Sequence, residues 1–282
     1  MIANLTDLKK RYIEQSAQTW RDKSCDRPPC LTCLHPSEDG SAQAYVGSLT
    51  KAAKKSCVTV DALPLPDAAG RWADMIQSLN KTETVDGILV VSPPKELVNY
   101  NTLIADSKNV EGNDFDDRLD RVSITAQAIV EAIAFLQQQK TGATKASNKE
   151  LLEGVDVVVI GYGKAVGKPL TYLLMRHHVG SAVAIHKYSD MLFGRSVINN
   201  CTVLVCATGI PNVLHTYVDP DELHGKIIID AGIRVEDGEV KGDVDPDEWV
   251  SNTITPVPGG IGQITTAMIL RNTSWAARGL LQ

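Results

Sequence analysis

The chain has 282 residues, 43% hydrophobic and 22% charged, with a formal net charge of −6. That balance describes an ordinary globular protein with room for a sizeable core; it excludes extended disorder and offers nucleic acid no general attraction. No apolar run approaches the roughly 18 residues that span a bilayer, and Met1 to Lys10 lacks an apolar signal core, so a cytoplasmic protein with no membrane partner is expected.

In chain order, Leu5, Leu8, Tyr12 and Ile13 share one face of a predicted opening helix. A strand from Cys30 to Leu34 follows, then a polar loop from His35 to Ser41 and a helix from Ala44 to Lys55. A short strand is predicted over 59–63, ahead of the Pro64-Leu-Pro66 turn. Trp72, Met75, Ile76 and Leu79 keep helical spacing, and Val85 to Val91 reads as a buried strand ended by Ser92-Pro-Pro. Asn109 to Phe115 reads as loop, and Ser123 to Gln139 as a long helix with Ile129, Ile133 and Leu136 on one side. The polar stretch Lys140 to Lys149 is the expected hinge. Strands then recur at 182–186, 203–206 and 227–233, so strand and helix alternate throughout, which implies parallel α/β sheets.

Six cysteines raise the question of a metal or disulfide framework. Cys30 and Cys33 have the spacing of a zinc knuckle, but they sit in a predicted strand, where residues three apart face opposite sides, and no second ligand pair follows. They are expected to be small buried hydrophobes in a reducing compartment, with no metal site.

The densest signal is Val155 to Pro169, where a β-branched run breaks into Gly161-x-Gly163-x-x-x-Gly167 and a helical pattern. Glycine lets the chain turn sharply and lets a pyrophosphate approach bare backbone, while the first N–H groups of the next helix point at the anion. A β-branched side chain at Gly163 is expected to fill the phosphate's space and to resist a positive φ. The spacing is one residue longer than the usual dinucleotide fingerprint, so the motif alone is weak.

With the stretches Ser41-Ala-Gln-Ala-Tyr-Val, Asp86-Gly-Ile-Leu-Val, Val110-Glu-Gly, Val166-Gly-Lys-Pro-Leu, Asp230-Ala-Gly-Ile, Gly242-Asp-Val and Ile254-Thr-Pro-Val-Pro-Gly-Gly-Ile-Gly in this order, the chain resembles the methylenetetrahydrofolate dehydrogenase/cyclohydrolase family. The resemblance implies two domains. An N-terminal α/β substrate domain spans 1–140, a Rossmann-type NAD(P) domain spans 141–261, and the C-terminal helix, 262–282, returns to the first. It also implies oxidation of 5,10-methylenetetrahydrofolate to the methenyl compound, in the one-carbon metabolism that feeds purine biosynthesis, by a cytoplasmic homodimer.

Carried over residue by residue, the family pattern breaks where the chemistry sits. The family tyrosine is Tyr45, but its lysine position is Leu49, its glutamine position Val91 and its aspartate position Glu111. Lys51, six residues from Tyr45, lies about 120° around the helix and is a poor substitute. Hydride transfer needs mainly that two rings be held face to face, whereas hydrolysis of the methenyl cation needs a group that moves protons. Dehydrogenase chemistry is therefore expected to survive and cyclohydrolase chemistry to be weak or absent. Alternatives stay open: a full bifunctional enzyme, or a noncatalytic folate or nucleotide binder.

The expected substrate contacts are Tyr45, Val91, Glu111 toward the pterin, Pro258, Gly259 and Gly260. Lys51, Lys54 and Lys55 are read as a solvated helix face before a glutamate-tail site. The expected cofactor contacts are Gly161, Tyr162, Gly163, His186, Lys187, Ser189, Ile233 and Thr265, the last either over the nicotinamide or capping its helix. Lys187 and Ser189, with no acid before Asp190, favour NADP. Tyr162 stands where the family often has arginine, which keeps NAD open.

Overall fold

The computed structural model describes residues 1–21, 26–65, 69–93, 97, 100–112, 122–236 and 238–281. In chain order its principal elements are α1 (Thr6–Arg21), β1 (Cys30–His35), α2 (Gly40–Ser56), β2 (Thr59–Pro64), α3 (Ala69–Lys81), β3 (Gly87–Val90), α4 (Ile124–Thr141), α5 (Asn148–Leu152), β4 (Asp156–Ile160), α6 (Gly167–Arg176), β5 (Ser181–Ile185), α7 (Met191–Asn200), β6 (Val203–Cys206), β7 (Ile227–Asp230), β8 (Arg234–Glu236), β9 (Glu239–Lys241), β10 (Thr253–Ile254) and α8 (Ile261–Ala276). The parallel α/β reading holds. The expected loop over 113–115 and the prolines at 66 and 94 lie outside the described residues.

Contacts divide the chain into two compact units, Lys9–Asp116 with Thr265–Gln282, and Met1–Leu8 with Asp117–Ile264. In the first unit a parallel sheet of order β2-β1-β3 puts β1 at its centre. That position explains why Leu31, Cys33 and Leu34 are fully buried while the edge strand β2 is mostly exposed. Cys30 and Cys33 are both buried, as expected, because a central parallel strand is covered on both sides. Helix α2 starts four residues earlier than its apolar pattern suggests. The Asp39 side chain accepts from the N–H groups of Ser41 and Ala42 and caps it there. Its buried residues, Ala42, Val46, Leu49, Ala53 and Ser56, form one stripe at helical spacing. The C-terminal part of α8 belongs to this unit: Asn272 Nδ2 donates to the Val110 carbonyl at 2.9 Å, and the Ser274 and Ser16 hydroxyls lie 2.7 Å apart.

The second unit holds a five-stranded parallel sheet of order β10-β7-β6-β4-β5 and the antiparallel hairpin β8-β9. Strands β6 and β7 are continuous buried apolar runs apart from Asp230, as parallel strands covered on both faces should be. The chain leaves β4 to one side for β5 and crosses back for β6, so the C-terminal ends of these strands flank the switch in strand order where open α/β sheets bind ligands.

The sequence placed the hinge at 140–149 and helix α4 with the substrate domain. Contacts instead group α4 and α5 with the second unit, α4 packing on α6, α5 and β7. The reason is visible in α4 itself: Ile129, Ile133 and Leu136 are joined by buried Ala126, Ala128, Ala132 and Ala134, so several faces of the helix are dry. The polar stretch after it is ordered locally by a reciprocal capping box between Ser147 and Glu150.

Candidate nucleotide and substrate sites

Where β4 ends, the backbone of Gly161 turns with φ of +108°, and a Cβ built there would stand 2.4 Å from the Ala207 carbonyl oxygen. A Cβ on Gly167 would stand 2.1 Å from the Gly161 carbonyl oxygen. Only glycine fits at these two positions, and together they fold the loop tightly between strand and helix. Gly163 differs from expectation. Its φ is not positive, and a Cβ there would meet open space. The demand for glycine in the fold falls on Gly161 and Gly167, and that open space is where a phosphate has room. Helix α6, with Val166 at its N-cap position, has no side-chain cap; its Lys168 N–H donates to the Gly163 carbonyl at 3.0 Å.

This loop opens on a cavity of about 600 Å³ in the second unit, within the usual size range of ligand pockets. Its wall includes Gly161, Tyr162 and Gly163 after β4, His186 and Lys187 after β5, and Ala207 and Thr208 after β6. Five of the eight expected cofactor residues are therefore brought together. Ser189 is not in the wall; its Oγ accepts from the His186 N–H at 3.0 Å and its own N–H donates to the His186 carbonyl at 2.7 Å, which closes the turn after β5. Ile233 is 67% exposed and outside the wall, and Thr265 is the fifth residue of α8 and belongs to the other unit. Asp190, the first acid after β5, caps α7 by accepting from the Phe193 N–H at 2.8 Å.

Sequence reasoning missed Lys168 and Tyr188, which also line the cavity. The Lys168 ammonium lies 5.3 Å from the centre of the Tyr162 ring, and the Lys187 ammonium 4.8 Å from that of Tyr188. His186 sits between the tyrosines, with ring centres 6.1 Å from Tyr162 and 5.9 Å from Tyr188. The available signal was a lysine beside the third turn glycine.

Behind Thr208, and not itself lining the cavity, Asp243 accepts through Oδ2 from the N–H and hydroxyl of Thr208, at 2.7 and 2.8 Å, and from the Gly209 N–H at 3.2 Å. The Asp230 carboxylate behind it accepts from the N–H groups of Gly232, Asp243 and Val244. Burial pushes the Asp230 carboxyl up to about 6, and the negative charge of Asp243 adds to this, while the three N–H donors pull the other way. The cis peptide between Val257 and Pro258, and Gly259 with φ of +100°, shape the turn that carries the other expected substrate contacts. Pro258 and Gly259 are exposed, and Gly260 is buried against the Pro256 carbonyl.

In the first unit, Tyr45 shares a hydrogen bond with the Thr266 side chain and lies in the electrostatic neighbourhood of Glu111 and Cys33. Burial first, then the nearby Glu111 charge, hold the tyrosine hydroxyl protonated well beyond its usual range, so it stands ready as a donor. The Cys33 thiol is likewise pushed up, to about 12, by burial and by Glu111. Glu111 is half-buried and accepts from the Tyr100 hydroxyl at 3.1 Å. The structure thus gathers Tyr45 and Glu111 and adds Cys33, Tyr100 and Thr266, which the sequence did not single out as site residues. Leu49 is fully buried in the stripe of α2, and Val91, also buried, donates its N–H to the Leu34 carbonyl at 2.8 Å. Lys51 is exposed.

Two family models match the chain: the tetrahydrofolate dehydrogenase/cyclohydrolase catalytic domain over residues 4–111, and the NAD(P)-binding domain of the same family over residues 142–280. A bifunctional protein FolD from Fervidobacterium nodosum is 30% identical, with 98% of each chain covered. Among solved structures, the bifunctional enzyme FolD from Campylobacter jejuni aligns with a TM-score of 0.79 at 25% identity, covering 99% of this chain and 98% of that one. A 5,10-methylenetetrahydrofolate dehydrogenase from the silkworm Bombyx mori aligns at 0.75 and 28% identity, covering 96% and 94%. With both domains matched in order and a glycine turn opening on a ligand-sized cavity, the chain belongs to the tetrahydrofolate dehydrogenase/cyclohydrolase family.

Proposed function

We propose that this chain oxidises 5,10-methylenetetrahydrofolate to 5,10-methenyltetrahydrofolate with NADP and does little to hydrolyse the product. The observation that carries the second half is Leu49. A fully buried leucine occupies the position of the family's lysine, in a helix whose N-cap and apolar stripe fix its rotation. An alkyl side chain moves no proton, and the neighbouring Tyr45 is held in its protonated form by burial, so it can donate a hydrogen bond but does not serve as a base near neutral pH. The first half asks less of the protein. NADP supplies the hydride acceptor, the electrons of the folate nitrogens drive the transfer, and the chain's residues bind and orient the two rings.

The glycine turn supports a dinucleotide, and a cavity lined by Lys168 and Lys187 with no carboxylate among the described lining residues supports NADP. Glu111, a half-buried acceptor beside Tyr45, suits the amino and ring N–H donors of a pterin. The family resemblance supports a homodimer in the cytoplasm. Purified protein should be given methylenetetrahydrofolate with NADP or NAD while reduced cofactor and methenyl product are followed by absorbance. The expected result is reduction of NADP with methenyl product decaying no faster than in buffer. Rapid decay would restore the bifunctional reading, and no cofactor reduction would leave a binder.

A further inference from the structure

We infer that Lys168 is a specificity-determining residue for the 2′-phosphate of NADP, held for that task on the face of Tyr162. The inference rests on NADP being the cofactor and goes beyond it by naming a group at the start of α6, where neither the glycine pattern nor the residues after β5 point. An arginine after the first turn glycine would present a planar guanidinium to a phosphate. In this chain the position is Tyr162, which has no positive charge but is 46% exposed at the cavity rim. The Lys168 ammonium lies 5.3 Å from the centre of that ring and also lines the cavity. A tyrosine face attracts a cation and narrows the places a long flexible side chain can occupy. A positive charge that position 162 lacks is thereby supplied from six residues on.

The rest of the rim fits the same anion. At its other end Lys187 rests over Tyr188, and His186 stands between the two tyrosines. The turn that carries them is closed by the Ser189 hydroxyl, and the His186 Nδ1 accepts from the Tyr188 N–H at 3.2 Å, so it is organised before any ligand arrives. Among the described residues neither ammonium has a carboxylate within ion-pair distance, and no carboxylate lines the cavity. Two unpaired cations at one rim, with no acid to accept from a ribose 2′-OH, favour a phosphorylated ribose over a free one. Tyr162 acts as a positioning residue, through Lys168.

The test measures adenosine 2′,5′-bisphosphate and adenosine 5′-monophosphate binding to the full chain by calorimetry, beside NADP and NAD kinetics. In the unmodified protein the bisphosphate should bind at least tenfold tighter. Lys168→Met should lower the ratio of bisphosphate to monophosphate affinity by tenfold or more and flatten its dependence on salt, since an ammonium–phosphate contact is screened. Tyr162→Leu should lower the ratio by a smaller factor. Tyr162→Arg placed in the Lys168→Met protein should recover most of the ratio. An unmodified protein that does not distinguish the two nucleotides would overturn the NADP reading itself. A protein that does distinguish them, and keeps the full ratio in Lys168→Met with an unchanged melting temperature, would overturn the role given to Lys168 and leave NADP standing.

Discussion

At the scale of single residues, Leu49 and Asp230 make opposite uses of burial. Leu49 is a core residue with no exposed surface, so Leu49→Lys places an ammonium among apolar neighbours. It should cost about 3 kcal/mol of stability and leave cyclohydrolase turnover near the wild-type level. Adding Val91→Gln is the fairer rescue, and a product assay beside urea denaturation separates the two effects. Asp230, only 2% exposed, has a folded-state carboxyl near 6 against an ordinary 3.8. Between those values the folded protein holds a proton that the unfolded chain has released. Stability therefore falls as pH rises from about 4 to about 6, by up to about 3 kcal/mol. Asp230→Asn cannot ionise and should flatten that slope; urea denaturation at several pH values compares slopes rather than levels, because the amide also disturbs the three N–H bonds.

At the scale of elements, the β4 loop and α6 separate two kinds of glycine. Gly167→Ala drives a methyl into the Gly161 carbonyl and should lower the melting temperature together with nucleotide affinity. Gly163→Val puts its side chain into open space and should leave the melting temperature within a few degrees while nucleotide affinity falls more than tenfold. Calorimetric scanning with and without nucleotide tells these apart. The sequence showed this strand, turn and helix because each signal is local: a β-branched run, glycines and a Pro-bounded helix start. It also singled out Tyr45, Leu49 and Glu111 as site candidates through motif position. It did not show Lys168 on Tyr162, or Thr266 and Tyr100 on Tyr45 and Glu111, because such meetings depend on side-chain direction and on segments far apart in the chain. The cap at Asp39 and the several-sided burial of α4 were likewise hidden, one in a polar loop and the other behind a conspicuous isoleucine stripe.

At the scale of the whole molecule, each compact unit is assembled from two separated stretches of chain. The unit bearing Tyr45 includes the helical residues after Thr265, and Arg271 of that segment lies 4.9 Å from the Tyr12 ring centre and 4.1 Å from that of Trp275. Removing residues 265–282 should therefore unfold this unit and leave the nucleotide-binding unit melting cooperatively. Limited proteolysis would show the first cut quickly and the second protected, more so with NADP present. The same interleaving sets a schedule for the newborn chain. Residues 9–116 emerge early, but the helix that completes them leaves the ribosome roughly 150 residues later, about 10–30 s at ordinary rates of synthesis. Ile2 waits longer still for Ile254, its partner in the sheet. For that interval the strands of the first unit are without the segment that completes it, so this half of the fold cannot close until residues 265–282 have been made.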